Sequence, residues 1–150
     1  MEKAHRPTFI DMAVSNRKII VVGAGLGGLT LALSLIRAGF EVTVLEQASR
    51  LGEVGAGIQI SANGARVLHA LGLAEALDAV AFRPVRGEMR HWQTGETLIT
   101  RPLGDASVER FGYPYYHLHR ADFHRVLEST VRAAQPGAVR LDARVEQIEQ

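Results

Sequence analysis

The 150-residue sequence contains no cysteine, so a disulfide scaffold, a thiolate metal site and a cysteine nucleophile are all excluded. It also has almost no surplus of charge, because 17 Lys and Arg stand against 16 Asp and Glu. Binding to nucleic acid or to an anionic membrane normally depends on a clustered basic surplus, so we expect neither as a partner. The lack of cysteine is compatible with the cytoplasm, which is the location we expect.

Two further kinds of site are missing from the sequence. No G-x-S-x-G segment occurs, so the nucleophile elbow of a serine hydrolase is absent. His117, His119 and His124 are the nearest approach to a metal-ligand set, and only Asp122 has a matching position beside them. Since these spacings are more typical of surface histidines, we expect no metal.

An apolar fraction of 47% is enough to bury the core of one ordinary domain. Residues 19–36 carry no charge, but four glycines divide them into a β-branched run and a helix-prone run, unlike a membrane span. We therefore predict a strand over 18–22, a helix over 27–38 that stops at Gly39, and a second strand over 41–46. Such a β-α-β unit with short joints predicts a parallel sheet.

The remaining chain predicts a mixture of short helices and strands. Residues 1–17 have no periodicity and are predicted to be a flexible extension, with one domain over 18–150. The further predicted elements are helices from Ser61 or Asn63 to 69, over 73–80 and over 122–134; a hairpin of 85–93 and 96–101 around Thr94-Gly95; a loop over 102–114; and strands over 115–118, 139–141 and 143–148.

The turn after the first strand matches the pattern G-x-G-x-x-G at Gly23, Gly25 and Gly28. The first glycine permits a sharp turn, the second lets a pyrophosphate approach the backbone, and the third lets the helix pack closely on the sheet. Glu46, which ends the second strand, can accept hydrogen bonds from the ribose hydroxyls of an adenosine. The alternative is a tight turn that merely needs glycine, with Glu46 a solvated strand end.

Two later segments distinguish between the dinucleotides. Both follow the glycine turn along the chain. They are residues 51–63 (LGEVGAGIQISAN) and residues 110–124 (RFGYPYYHLHRADFH). Together the three blocks resemble the group A flavoprotein monooxygenases, the aromatic-ring hydroxylases typified by salicylate hydroxylase and 3-hydroxybenzoate 6-hydroxylase. That family also carries an Asp-Gly and a Gly-Asp motif further downstream, and neither occurs after the segment 110–124. The resemblance therefore implies the N-terminal part of such an enzyme, incomplete at the C-terminus.

The resemblance implies an α/β fold, with a Rossmann-type FAD-binding β-α-β unit, a parallel sheet and the start of a β-rich substrate portion. It implies bound FAD, NADH or NADPH as co-substrate, and O2 for the hydroxylation of a small aromatic acid or phenol-like ring. Arg120 matches the family's arginine that contacts the flavin cofactor, and Gln59 lies in the segment beside the flavin ring. The candidate cofactor-binding residues are Gly23, Ala24, Gly25, Leu26, Gly27, Gly28, Glu46, Gln47, Gly57 and Arg120.

Several alternatives stay open at this stage. Gln59 could equally be an exposed loop amide, and no catalytic base can be named. One arginine of a set could bind an anionic substrate, although a solvated face is the simpler reading; the set is Arg83, Arg86, Arg90, Arg101 and Arg110. The rival functions are another Rossmann FAD or NAD oxidoreductase and a non-enzymatic truncated product. We expect the 150 residues alone to be inactive, and the oligomeric state is left open.

Overall fold

The computed structural model describes residues 17–52 and 55–149, so the predicted N-terminal extension lies, apart from Arg17, outside the described residues. The chain divides into two compact units, of which the first holds residues 17–52 and 127–149 and the second residues 55–126. The described elements, in chain order, are β1 (Lys18–Val22), α1 (Leu26–Arg37), β2 (Glu41–Leu45), β3 (Gly57–Ile60), α2 (Ala62–Ala70), α3 (Ala74–Asp78), β4 (Arg86–Arg90), β5 (Thr97–Pro102), α4 (Asp105–Phe111), β6 (Tyr116–His119), α5 (Arg120–Ala134) and β7 (Val139–Arg140).

The first unit is built on a parallel sheet with the strand order β1-β2-β7. Helix α1 connects β1 to β2, so the predicted β-α-β unit and parallel sheet are confirmed. Leu29 and Leu33 lie one turn apart on α1 and are completely buried, as are Val42 and Val44 of β2. The expected α/β fold, with its β-α-β unit and parallel sheet, is therefore present.

The ends of α1 and β2 follow from single residues. Gly39 adopts φ +89° just after α1, a conformation that glycine reaches without a steric cost, so the predicted stop is confirmed. The Gln135 side chain then joins β2 to the segment before β7. Its Nε2 donates to the Val42 carbonyl at 2.7 Å, and its Oε1 accepts from the Val42 N–H at 3.0 Å. The side-chain amide of Gln135 thereby bonds to both backbone groups of Val42, as a residue of a neighbouring strand would.

The second unit holds two antiparallel pairs, β3 with β6 and β4 with β5. The predicted hairpin is confirmed, and Gly95 at its turn has φ +73°. The interval 102–114 was predicted to be a loop, but its residues 105–111 form the helix α4, so this prediction is wrong. Asp105 stands in its first turn and Gly112 ends it at φ +77°. These are ordinary helix-end signals, but Pro102 and Pro114 on either side favoured a loop over the whole interval.

A polar network fixes Tyr116 of β6 inside the second unit. Tyr116 is completely buried, and its hydroxyl donates to Asp78 Oδ1 at 2.7 Å. Because the hydroxyl proton is used there, His69 Nε2, which lies 2.9 Å away, acts as a donor to the Tyr116 oxygen. Burial and the bond to Asp78 raise the pKa of Tyr116 to about 12. Burial opposes ionisation of Asp78, but hydrogen bonds from Tyr116 and Arg83 outweigh it and lower the pKa of Asp78.

The end of the described chain differs from the prediction. Residues 143–148 were expected to form a strand, and in the described residues they form none. Asp142 adopts φ +53°, which turns the chain after β7. The N–H groups of Asp142 and Ala143 then donate to the carbonyls of Ala48 and Glu46, at 3.1 and 2.9 Å. The segment is therefore held against the loop after β2, and this prediction is wrong.

None of the helices in the described ranges is long and apolar enough to cross a membrane. The uncharged run 19–36 instead forms β1, the glycine turn and most of α1. The division of this run at its glycines is therefore confirmed.

Candidate functional site

The glycine turn joins the ends of β1 and β2. Gly23 has φ +94°, and its N–H donates to the Leu45 carbonyl at 2.8 Å. Helix α1 then approaches this turn so closely that a Cβ on Gly28 would lie 2.0 Å from the Gly23 oxygen. Any side chain at Gly28 would collide with backbone, so the first and third glycines of the pattern have the structural roles predicted for them.

The N-terminus of α1 presents backbone donors without a side-chain cap. Gly25 is the N-cap residue, no side chain makes a capping hydrogen bond, and the first turn contains no acidic residue. A Cβ on Gly25 or Gly27 would meet no heavy atom within 4 Å, so this side of the turn is open. The first N–H groups of a helix attract anions, and a phosphate can approach them where side chains are missing.

Glu46 reaches back to the glycine turn. Its Oε2 accepts from the Ala24 N–H at 2.7 Å, and its Oε1 accepts from the Ala48 N–H at 2.9 Å. Ala24 is buried and Glu46 is half-buried. The structure thus brings the predicted acidic residue and the glycine turn into a single site, and the carboxylate is more than a solvated strand end.

A cavity of about 200 Å³ opens at the carboxyl ends of β1 and β2. Ligands of open parallel sheets bind at this edge. The cavity includes Gln47, which the sequence proposed, but also Arg144, which it did not. No signal in the sequence pointed to Arg144, because it lies inside the segment 143–148 that was predicted to be a strand. The lining residues are Val22, Gly23, Leu45, Glu46, Gln47, Ala143, Arg144 and Val145.

The other candidates lie in the second unit. Gly57 begins β3 and pairs with His119, while Arg120 follows directly as the first residue of α5. The Arg120 N–H donates to the Ala56 carbonyl at 3.3 Å, and its Cδ lies 3.3 Å from the position of a Cβ on Gly55. The structure therefore brings Arg120 against the glycine-rich segment 55–57.

Gln59 is an ordered strand residue with a defined partner. It accepts a hydrogen bond at Oε1 from the Tyr115 hydroxyl at 2.8 Å. It also stands opposite His117 in the β3–β6 pair. Across residues 17–52 and 55–149, no group of three or more His, Cys, Asp or Glu is placed to hold a metal ion.

Comparisons with known proteins agree on one family. A family model described as FAD binding domain matches residues 16–150. The 3-amino-4-hydroxybenzoate 2-monooxygenase of Streptomyces platensis is 48% identical over 91% of this chain and 34% of its own length. The 6-hydroxynicotinate 3-monooxygenase of Pseudomonas fluorescens is 44% identical over 73% of this chain and 29% of its own length.

Solved structures give the same result. Klebsiella pneumoniae HpxO, complexed with FAD and uric acid, matches 89% of this chain and 32% of its own with a TM-score of 0.73 and 28% identity. This chain spans about a third of the length of the curated relatives it matches. Since the family model covers nearly the whole chain and the relatives are monooxygenases, the resemblance found in the sequence is confirmed, and the chain belongs to the family of FAD-binding domains.

Proposed function

We propose that the protein is an FAD-dependent monooxygenase that hydroxylates an aromatic acid or a phenol-like ring, with NADH or NADPH and O2 as co-substrates. Membership of the FAD-binding domain family supports FAD as its cofactor. Relatives of this chain are named as monooxygenases of aminohydroxybenzoate, hydroxynicotinate and hydroxybenzoate. Their names support a single aromatic ring bearing an acid as the substrate class. A cytoplasmic location stays a prediction of the sequence.

The residues present fit FAD. The open, uncapped start of α1 suits a pyrophosphate, with Gly25 and Gly27 leaving room for it and the N–H of Leu26 at the first position of the helix. Glu46 and Gln47 line the neighbouring cavity, where the adenosine ribose would lie. In the second unit, Gly57 and Arg120 would contact the cofactor and Gln59 would stand near its ring. Once bound, FAD supplies the redox chemistry, while the protein orients it and excludes water.

The observation that carries this proposal is the contact of the Glu46 carboxylate with the Ala24 N–H at 2.7 Å. A glycine turn alone is a weak signal, because many tight turns need glycine. A carboxylate held against that turn, at the carboxyl ends of two parallel strands, has the geometry of an adenosine-ribose acceptor. The same negative charge would repel a 2′-phosphate, which disfavours NADP at this position.

Replacing Glu46 with alanine tests the proposal. Two hydrogen bonds from the ribose to a charged acceptor would be lost, each contributing at least about 1.5 kcal/mol. The Kd for FAD should therefore rise by about 100-fold. The matched control is Glu41→Ala at the other end of β2, which removes only an exposed pairing with Lys18 at 3.6 Å. The measurement is a fluorescence titration of FAD, with the visible spectrum of any cofactor released from the purified protein.

Thermal unfolding is followed in parallel, because Glu46→Ala also removes the acceptor of the Ala24 N–H. An unchanged FAD affinity in a folded Glu46→Ala protein would limit Glu46 to a role in shaping the turn. A protein that binds NAD but no flavin would overturn the proposal as a whole.

A further inference from the structure

The cavity at the carboxyl ends of β1 and β2 has a third wall, which comes from the segment after β7. Ala143, Arg144 and Val145 line it there, beyond the outer strand of the parallel sheet. The contacts proposed for FAD use only the other two walls, with the pyrophosphate at the glycine turn after β1 and the ribose at Glu46 and Gln47 after β2. The third wall therefore has no assigned part of the cofactor.

Backbone hydrogen bonds hold this third wall beside the loop after β2. The Glu46 N–H donates to the Arg140 carbonyl at 2.9 Å, and the Glu46 carbonyl accepts from the Ala143 N–H at 2.9 Å. Between these two bonds the chain turns at Asp142, which adopts φ +53°. Because the backbone is bonded on both sides of this turn, the next residue, Arg144, starts from a defined position beside the end of β2.

The strand order β1-β2-β7 gives the cavity a direction. Neighbouring strands lie about 4.8 Å apart, so the end of β7 is about 10 Å from the glycine turn, with Glu46 between them. In FAD the ribose of the adenosine half joins the pyrophosphate to the adenine base. A pyrophosphate at the glycine turn and a ribose at Glu46 would therefore put the adenine on the side of β7, against residues 143–145.

The guanidinium of Arg144 is available for a ligand in this cavity. Arg144 is exposed, and none of the salt bridges within residues 17–52 and 55–149 involves it. The carboxylate of the lining, Glu46, already accepts from two backbone N–H groups. Other arginines of the described chain are paired with carboxylates, namely Arg83, Arg86, Arg90, Arg125 and Arg132.

We propose that Arg144 binds the adenine of FAD by laying its guanidinium plane on the face of the base. A guanidinium is planar and weakly hydrated, and it stacks on aromatic faces with an added attraction between its charge and the π-electrons. A contact with the pyrophosphate is less suitable, because the glycine turn is two strands away and the Glu46 carboxylate lies between. The inference rests on the proposed function, but binding of the base itself needs no flavin.

The test is a titration of the purified protein, followed by ¹⁵N NMR, with two probes. ADP carries the base, whereas ribose 5-phosphate keeps the sugar and a phosphate without it. Arg144→Gln should raise the Kd for ADP about fivefold, as expected for an arginine on an exposed aromatic face, and leave the Kd for ribose 5-phosphate unchanged. The matched control is Arg140→Gln, an exposed arginine of β7 outside the lining, which should change neither.

A second variant, Arg144→Lys, separates the plane of the side chain from its charge. Lysine keeps the positive charge but has no planar group to stack, so Arg144→Lys should weaken ADP almost as much as Arg144→Gln. Wild-type ADP affinity in Arg144→Lys would overturn the proposal. So would an equal weakening of ADP and ribose 5-phosphate in Arg144→Gln, because it would indicate a phosphate contact.

FAD is titrated on the same samples, so that the two proposals can fail separately. A wild-type protein that binds FAD with an affinity that Arg144→Gln leaves unchanged would overturn the role of Arg144 alone. A wild-type protein that binds ADP but no FAD would overturn the proposed cofactor, and one that binds neither would overturn both. Thermal unfolding of Arg144→Gln and Arg140→Gln should match the wild type, because both side chains are exposed.

Discussion

Replacing Gly28 with alanine should destabilise the first unit by forcing the glycine turn apart. The new Cβ would lie 2.0 Å from the Gly23 oxygen and 3.1 Å from its carbonyl carbon. These are backbone atoms that cannot rotate away, so the turn would have to move by about 1 Å, as in an overpacked core. Such a shift would strain the bond from the Gly23 N–H to the Leu45 carbonyl, which is 2.8 Å long.

The size of this effect can be worked out from two contributions. Overpacking costs about 1–3 kcal/mol, and a weakened backbone hydrogen bond adds about 0.5–1.5 kcal/mol. We therefore expect a loss of about 3 kcal/mol in the free energy of unfolding. For a chain of this size, that corresponds to a fall in Tm of about 6–12 °C.

The matched control is the neighbouring substitution Gly27→Ala. A Cβ on Gly27 would meet nothing within 4 Å, and the residue lies inside α1. Alanine should therefore stabilise the helix, by about 0.5 kcal/mol. Thermal unfolding followed by circular dichroism would compare the two proteins in the absence of FAD. Similar Tm values for Gly28→Ala and Gly27→Ala would refute the reasoning, because the substitutions differ only in what the added methyl group meets.

Three further predictions follow from the same structure. Gly25→Ala should leave the Tm unchanged, because its Cβ would meet no heavy atom within 4 Å, but it should lower FAD retention by filling the space proposed for the pyrophosphate. Unchanged FAD retention would contradict a pyrophosphate at this position. Arg120→Ala should lower flavin retention more than Arg132→Ala, and equal effects would make Arg120 a surface charge. Tyr116→Phe should cost about 1.5 kcal/mol in a chemical denaturation series. Because the pKa of Tyr116 rises from 10.0 to about 12 on folding, stability should be intact below pH 10 and fall towards pH 12, except in Tyr116→Phe.

The predictions that were confirmed depend on short stretches of sequence. The β-α-β unit follows from an apolar run that Gly23 interrupts and Gly39 closes, and both glycines do adopt positive φ. The hairpin likewise depends on its local turn at Gly95. The predictions that failed depend on competition between signals: the helix Asp105–Phe111 was masked by flanking prolines. The segment 143–148 was expected to be a strand, but Asp142 turns the chain before it and the Ala143 N–H bonds to the Glu46 carbonyl just after β2.

By itself, the sequence determined the parallel β-α-β unit, the glycine turn, the acidic residue at the end of β2 and the family. The unit, the turn and the acidic residue lie within residues 18–46, where local conformation largely decides them, whereas the family also rested on the segments 51–63 and 110–124. Only the tertiary structure decided that the Glu46 carboxylate holds the Ala24 N–H and that Arg144 reaches the same cavity. It alone showed that the buried Tyr116 hydroxyl donates to Asp78. These contacts join segments that lie far apart in the sequence, and no local spacing encodes them.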